Sequence, residues 1–186
     1  TKLSSVRALK EAQSKEQALV TVCSACHNVI KQTNYVMQND AEFADKANRY
    51  MADETPYDGS TQVYHYLELL RDVVGFDTLK EKVVNPLTGK KIAAYYGCLL
   101  LRPNSVMRMD DPENPQIMED FIRAIGAEPV IYSYRNECCG GYVRMESPEL
   151  ATKKSQTVTG SAKNNGAEMI VTACPLCKYN LEKSGS

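Results

Sequence analysis

The chain has 186 residues, 43% of them hydrophobic, and a formal net charge of −1. That is enough apolar material for one domain core or two small ones, and the charge is too evenly balanced for a nucleic-acid surface. No apolar run approaches the roughly 20 residues that cross a bilayer, so direct membrane insertion is not expected. No secretory signal is visible. Thr1 is not a start methionine, and a natural N-terminus upstream of it is expected.

The first segment, Ser4 to about Gln17, is rich in Ala, Lys, Gln and Glu and reads as a helix. Ala18 to Val22 is a short apolar strand that ends at Cys23-Ser24-Ala25-Cys26. Asn28 to Gln38 and Ala41 to Met51 are two further helices. Asp53 to Gly59, with Pro56 and Gly59, is a turn-rich break. Val63, Leu67, Leu70 and Val74 then recur at helical spacing, and Asp77 to Val84 is a short helix.

After Pro86-Leu87-Thr88-Gly89 the pattern changes. Lys91 to Tyr96 is a strand, and Pro115 to Ile125 a helix stopped by Gly126. Pro129 to Tyr134 is a second strand. Pro148 to Asn165 is a helix with proline in its first turn. Glu168 to Ala173 is a third strand, and Pro175 opens a last helix. Strands alternating with helices give an α/β fold: a small parallel sheet flanked by helices, preceded by a mostly helical segment.

The chain has seven cysteines. Secreted disulfide scaffolds are shorter and denser in cysteine, so a reducing, cytoplasmic setting with metal or redox chemistry is expected. Five of them, Cys98, Cys138, Cys139, Cys174 and Cys177, are spaced Cys-x39-Cys-Cys-x34-Cys-x2-Cys. Each falls just past one of the three later strands. All five are therefore expected on one rim of the sheet, where open α/β folds bind ligands. A Cys-x-x-Cys at a helix start brings backbone N–H groups and the positive helix end to its thiolates. The glycines of Cys138-Cys139-Gly140-Gly141 let backbone approach bound inorganic sulfide. Arg102, Arg135, Arg144 and Lys178 are placed to offset negative charge, or else are ordinary solvated bases. His27 and His65 read as ordinary surface or helix histidines.

Three readings of the cysteines remain open at this point. An iron–sulfur cluster uses several thiolates, a zinc site would take four and leave one spare, and a thioredoxin-like dithiol explains one Cys-x-x-Cys but not the doublet. There is also an internal repeat. Val20-Thr21-Val22-Cys23-Ser24-Ala25-Cys26 matches Val171-Thr172-Ala173-Cys174-Pro175-Leu176-Cys177 at an offset of 151 residues. Partners of Cys98, Cys138 and Cys139 in the first copy would precede residue 1.

The chain resembles the cysteine-rich CCG domains in the B subunit of heterodisulfide reductase, whose pattern is a single Cys, a Cys-Cys doublet and a Cys-x-x-Cys, with two such domains in tandem. The likeness extends to Tyr95-Tyr96-Gly97-Cys98-Leu99-Leu100-Leu101-Arg102-Pro103 and Asp111-Pro112-Glu113-Asn114-Pro115. It implies that residues 86–186 form a second CCG domain. Residues 1–85 would be the C-terminal remnant of a first one plus a helical linker, with Cys23 and Cys26 as that domain's closing pair. It further implies a noncubane [4Fe–4S] cluster on Cys98, Cys138, Cys139, Cys174 and Cys177, where a thiol-coenzyme disulfide is reduced. In methanogens that substrate is the mixed disulfide of coenzyme M and coenzyme B. The implied partners are the family's small C subunit, with ordinary [4Fe–4S] clusters, and its flavoprotein A subunit. The Cys139 to Cys174 interval is slightly short for the pattern, and the first domain lacks its single cysteine and its doublet. The isolated chain is therefore expected to be inactive as a disulfide reductase. The alternative from another class is a non-catalytic electron-relay module holding zinc or an iron–sulfur group.

Overall fold

The computed structural model describes residues 2–52 and 55–184. The element order is α1 (Leu3–Ser14), β1 (Leu19–Thr21), α2 (Ser24–Asn39), α3 (Ala41–Tyr50), β2 (Val63–His65), α4 (Tyr66–Glu68), α5 (Phe76–Lys82), β3 (Lys91–Tyr95), α6 (Asn104–Met107), α7 (Ile117–Ala124), β4 (Glu128–Val130), α8 (Pro148–Asn164), β5 (Met169–Thr172) and α9 (Pro175–Ser184). A π-helical stretch, Leu69–Val74, prolongs α4, and a single 3₁₀ turn covers Gly141–Val143. Asp53, at the start of the expected turn-rich break, lies outside the described residues.

Two small parallel sheets organise these elements. In one, β1 pairs with β2 in the register Leu19–Val63 to Thr21–His65. In the other the strand order is β4-β3-β5. The central strand β3 is covered on both faces, which explains its unbroken apolar run Ile92-Ala93-Ala94-Tyr95. Side chains alternate across it. Ile92, Ala94 and Tyr96 pack with Ile117, Met118 and Ile122 of α7 and with Leu67. Ala93 and Tyr95 pack with Val158 and Ala162 of α8 and Leu181 of α9. A third core under α1, α2 and α3 joins Val6, Leu9, Met37, Ala47, Met51 and Tyr57.

The strand β2 is absent from the sequence reading, which placed Val63 at the head of a helix. Three residues are too few to show a period, and Val63 extends because β1 offers it a ladder. The strand expected over Pro129 to Tyr134 is pared to Glu128–Val130. Pro129 has no N–H to give, which suits an edge strand. Beyond it the chain turns, so that the Arg135 carbonyl accepts from the backbone N–H groups of Tyr96 at 2.8 Å and Gly97 at 3.3 Å. That contact ties the end of β3 to the loop that carries the cysteine doublet.

Candidate metal centre

All five cysteines of the spaced set line one cavity of about 20 Å³. The other lining groups are Ser24, Tyr96, Leu99, Gly141, Tyr142 and Leu176. Cys98 follows β3 on a turn held from the other half of the chain, where the Asn28 side chain of α2 donates to the Leu99 and Arg102 carbonyls at 2.8 and 2.7 Å. Cys174 follows β5, and the Lys178 N–H returns to its carbonyl at 2.9 Å, starting α9 with both sulfurs of the pair at its first turn.

The doublet loop is pressed onto α8. Gly140 has φ +82°, and a Cβ there would lie 2.7 Å from the Ala151 Cα, so only glycine fits. Its N–H points at the Cys138 Sγ, 3.3 Å away. Gly97, at φ +63°, has the same need, since an added Cβ would stand 3.3 Å from the Cys177 Sγ. The Cys139 and Cys177 sulfurs are 3.5 Å apart.

The electrostatics of the set follow from sulfur–sulfur hydrogen bonding. The Cys98 thiol, donating to Cys138, has its own pKa raised and pulls Cys138 down to about 6, with help from the Gly140 N–H. The Cys177 thiol does the same for Cys139, brought to about 6, and for Cys174, brought to about 5. Its own pKa rises in return. Backbone N–H groups of Cys177, Ala25 and Leu176 also favour the Cys174 thiolate. The thiols at this rim thus favour the anionic form at Cys138, Cys139 and Cys174, and it is as the thiolate that cysteine binds metal.

The donor set suits an iron–sulfur group. Among the described residues, five soft sulfur ligands line the cavity beside the side chains of Ser24, Tyr96 and Tyr142, with no histidine or carboxylate. Also among the described residues, no three His, Cys, Asp or Glu side chains converge on a point that could hold one metal ion. No disulfide joins any of the seven cysteines.

Cys23 and Cys26 stand apart from this cavity, at the start of α2. Cys23 is half-buried and Cys26 exposed. Burial raises the Cys23 pKa, and the negative charge at Cys174 adds to the rise. Ser24, between them, reaches the cavity wall.

His27 lies on α2, a helix histidine as read, but neither histidine is on the surface, and His65 ends β2 rather than lying in a helix. His27 and His65 are buried, with ring centroids 5.3 Å apart. His27 Nδ1 is 2.9 Å from the Thr21 hydroxyl and its Nε2 is 3.3 Å from Glu68, which also pairs with Lys31 at 2.9 Å and accepts from the His65 N–H at 2.7 Å. A lone histidine in a sequence gives no burial signal, and neither short strand that shields these rings was wide enough to mark them. Arg135 is likewise buried rather than solvated, in an ion pair with Glu119 at 2.5 Å. Arg102 is exposed and pairs with Glu113 at 2.8 Å, and Arg144 lies over the Tyr179 ring. Asn180 and Ser24 were not read as site residues. Asn180 falls three positions after Cys177, which on a helix is the same face, and that spacing is the signal that could have found it.

A parallel sheet with a five-thiol rim defines a cysteine-rich α/β domain. Residues 92–182 belong to the CCG cysteine-rich domain family, which bears out the family read from the cysteine pattern. The chain as a whole is similar to components of oxidoreductases. It is 30% identical over 183 residues to the membrane anchor of the 8-methylmenaquinol:fumarate reductase of Wolinella succinogenes, covering 98% of this chain and 63% of that one. It is 29% identical over 168 residues to the B subunit of the ferredoxin/F(420)H(2)-dependent CoB-CoM heterodisulfide reductase of Methanosarcina acetivorans, covering 89% and 56%. A protein of Archaeoglobus profundus, named for its likeness to the heterodisulfide reductase B subunit, is 30% identical over 181 residues, covering 95% and 60%. The chain therefore spans 56 to 63% of the length of these relatives. No described helix is long and apolar enough to cross a membrane.

Proposed function

We propose that this chain belongs to the iron–sulfur subunit of a heterodisulfide reductase-like complex. Cys98, Cys138, Cys139, Cys174 and Cys177 would hold a noncubane [4Fe–4S] cluster, at which a thiol-coenzyme disulfide is reduced. The observation that carries this reading is the gathering of all five thiols on one cavity at the strand ends. When bound, the cluster would supply electrons to the disulfide. The chain's own part is to bring the five sulfurs to one place, to aim the Gly140 N–H at the Cys138 sulfur, and to wall the site with Tyr96, Leu99 and Leu176. Cys23 and Cys26 would close a second such site whose remaining ligands this chain does not carry. The C and A subunits of a heterodisulfide reductase would deliver the electrons in the cytoplasm.

A second reading is an electron-relay module without its own disulfide substrate. It is favoured by the similarity to a component of a menaquinol:fumarate reductase. Turnover decides between the two. Full-length anaerobic protein in its complex should cleave a coenzyme-type mixed disulfide, and Cys139→Ser should stop it. Absence of disulfide cleavage, with intact electron transfer to another acceptor, would favour the relay.

A further inference from the structure

We propose that Asn180 is a positioning residue that sets the electron affinity of the group held by the five cysteines, by donating an N–H···S hydrogen bond to Cys139. The inference rests on the reading that those cysteines hold an iron–sulfur cluster.

Asn180 is fully buried on α9, one helical turn beyond Cys177. Its Nδ2 lies 3.6 Å from the Cys139 Sγ and 3.5 Å from the Cys139 carbonyl oxygen. Sulfur is the larger atom, so the contact with sulfur is the tighter of the two. The orientation of the amide is dictated by chemistry: the Cys139 carbonyl oxygen can only accept, so the NH₂ end must meet it and the sulfur beside it. The Oδ1 end, by contrast, is buried without a hydrogen-bond partner. A purely structural amide in a core would be expected to satisfy both ends. This one leaves one end unpaired while keeping its donor on the Cys139 sulfur.

The surroundings are shaped to allow it. Gly141 leaves the space: a Cβ there would lie 3.3 Å from the Asn180 Nδ2 and 3.1 Å from Leu176. Ser155, buried on α8, donates to the same Cys139 carbonyl at 3.0 Å and so helps to fix the backbone of that cysteine. Cys139 is thereby gripped by α8 and α9 with its sulfur turned to the amide. Hydrogen bonds to cluster sulfurs stabilise the more negative, reduced state and raise the reduction potential.

The test uses full-length protein prepared anaerobically, with Asn180→Leu, Asn180→Asp and Leu181→Ala beside wild type. The readouts are the EPR-monitored midpoint potential and the thermal midpoint. Both Asn180 variants should shift the potential downward, Asp the further because it adds negative charge. Leu181→Ala, which thins the same core, should lower thermal stability and leave the potential in place. If Asn180→Leu does not fold, the nearly isosteric Asp variant carries the measurement. An unmoved potential in the Asn180 variants, or an equal shift in Leu181→Ala, would overturn this inference alone. Wild-type protein without iron would overturn the cluster reading and this inference with it.

Discussion

Ser24 donates twice to the Ala173 carbonyl, from its backbone N–H at 3.0 Å and from its hydroxyl at 2.9 Å. The two residues sit in the two copies of the internal repeat, each within the strand–Cys-x-x-Cys–helix unit. The first copy is thus clasped to the second one residue before Cys174, and Ser24 forms part of the cysteine cavity wall. The Ala25 N–H adds its own stabilisation to the Cys174 thiolate. One half of the chain helps to build the other half's site.

Ser24→Ala removes the hydroxyl bond and keeps the backbone bond. The expected loss is about 1 kcal/mol for a buried hydrogen bond, which lowers the thermal midpoint by about 2–4 °C in a chain of this size. Differential scanning calorimetry measures it. A midpoint unchanged from wild type would show that the hydroxyl contributes nothing to the clasp.

Gly140→Ala should be far more damaging than an ordinary surface change. The left-handed backbone costs a non-glycine residue about 1–2 kcal/mol, and the new methyl would stand 2.7 Å from the Ala151 Cα on a helix that cannot yield cheaply. The expected total exceeds about 2 kcal/mol, read from denaturant midpoints. Wild-type stability in this variant would mean that the doublet loop does not lie on α8 as described.

How much the sequence reveals differs from residue to residue. The cysteine spacing and the three strands ahead of the cysteines were legible, because five cysteines after three apolar runs leave few arrangements, but the end of β4 was not, since the chain turns away after Val130. Strand β2 was not, since Val63, Tyr64 and His65 extend only because Leu19, Val20 and Thr21 pair with them. Burial of His27 and His65 depends on that same pairing and on Glu68, a charge that sequence periodicity treats as solvent-facing. Asn180 was passed over because an asparagine within a polar helix carries no mark of its own until Cys139 is brought against it.

Acid should unfold the protein through this histidine network. Burial, with His27 beside it, lowers the His65 pKa to about 4, so the folded state holds the ring neutral. Burial would raise Glu68, but bonds from His27, the His65 N–H and Lys31 outweigh it and lower the carboxyl to about 2. Both folded values lie below the unfolded ones. The stability each contributes is therefore complete above the unfolded pKa and lost as pH falls. His65 acts between about pH 6.5 and 4 and Glu68 between about 4.5 and 2, each on the order of 3 kcal/mol. Urea titrations at pH 7, 5 and 3 should show falling stability, with the step between 7 and 5 much reduced in His65→Asn. An equal step in that variant would place the acid sensitivity elsewhere.

Cys138→Ser and Cys139→Ser test the doublet separately from the fold. Serine is a hard, poor ligand for iron, so each variant should lose or alter the EPR signal of the oxidised protein. Cys23→Ser should leave the signal of the five-cysteine site largely intact while impairing turnover in the full-length protein. An unaltered spectrum and wild-type turnover in both doublet variants would reduce the doublet to a packing feature.

The iron and acid-labile sulfide content of the full-length, anaerobically purified protein, wild type beside Cys139→Ser, bears most directly on the five-cysteine site. Iron and sulfide are expected in equal amounts in the wild type, with a marked loss of both in the variant and no stoichiometric zinc in either. Zinc in place of iron, or iron and sulfide retained in full without Cys139, would contradict the assignment of the cluster to these five thiols.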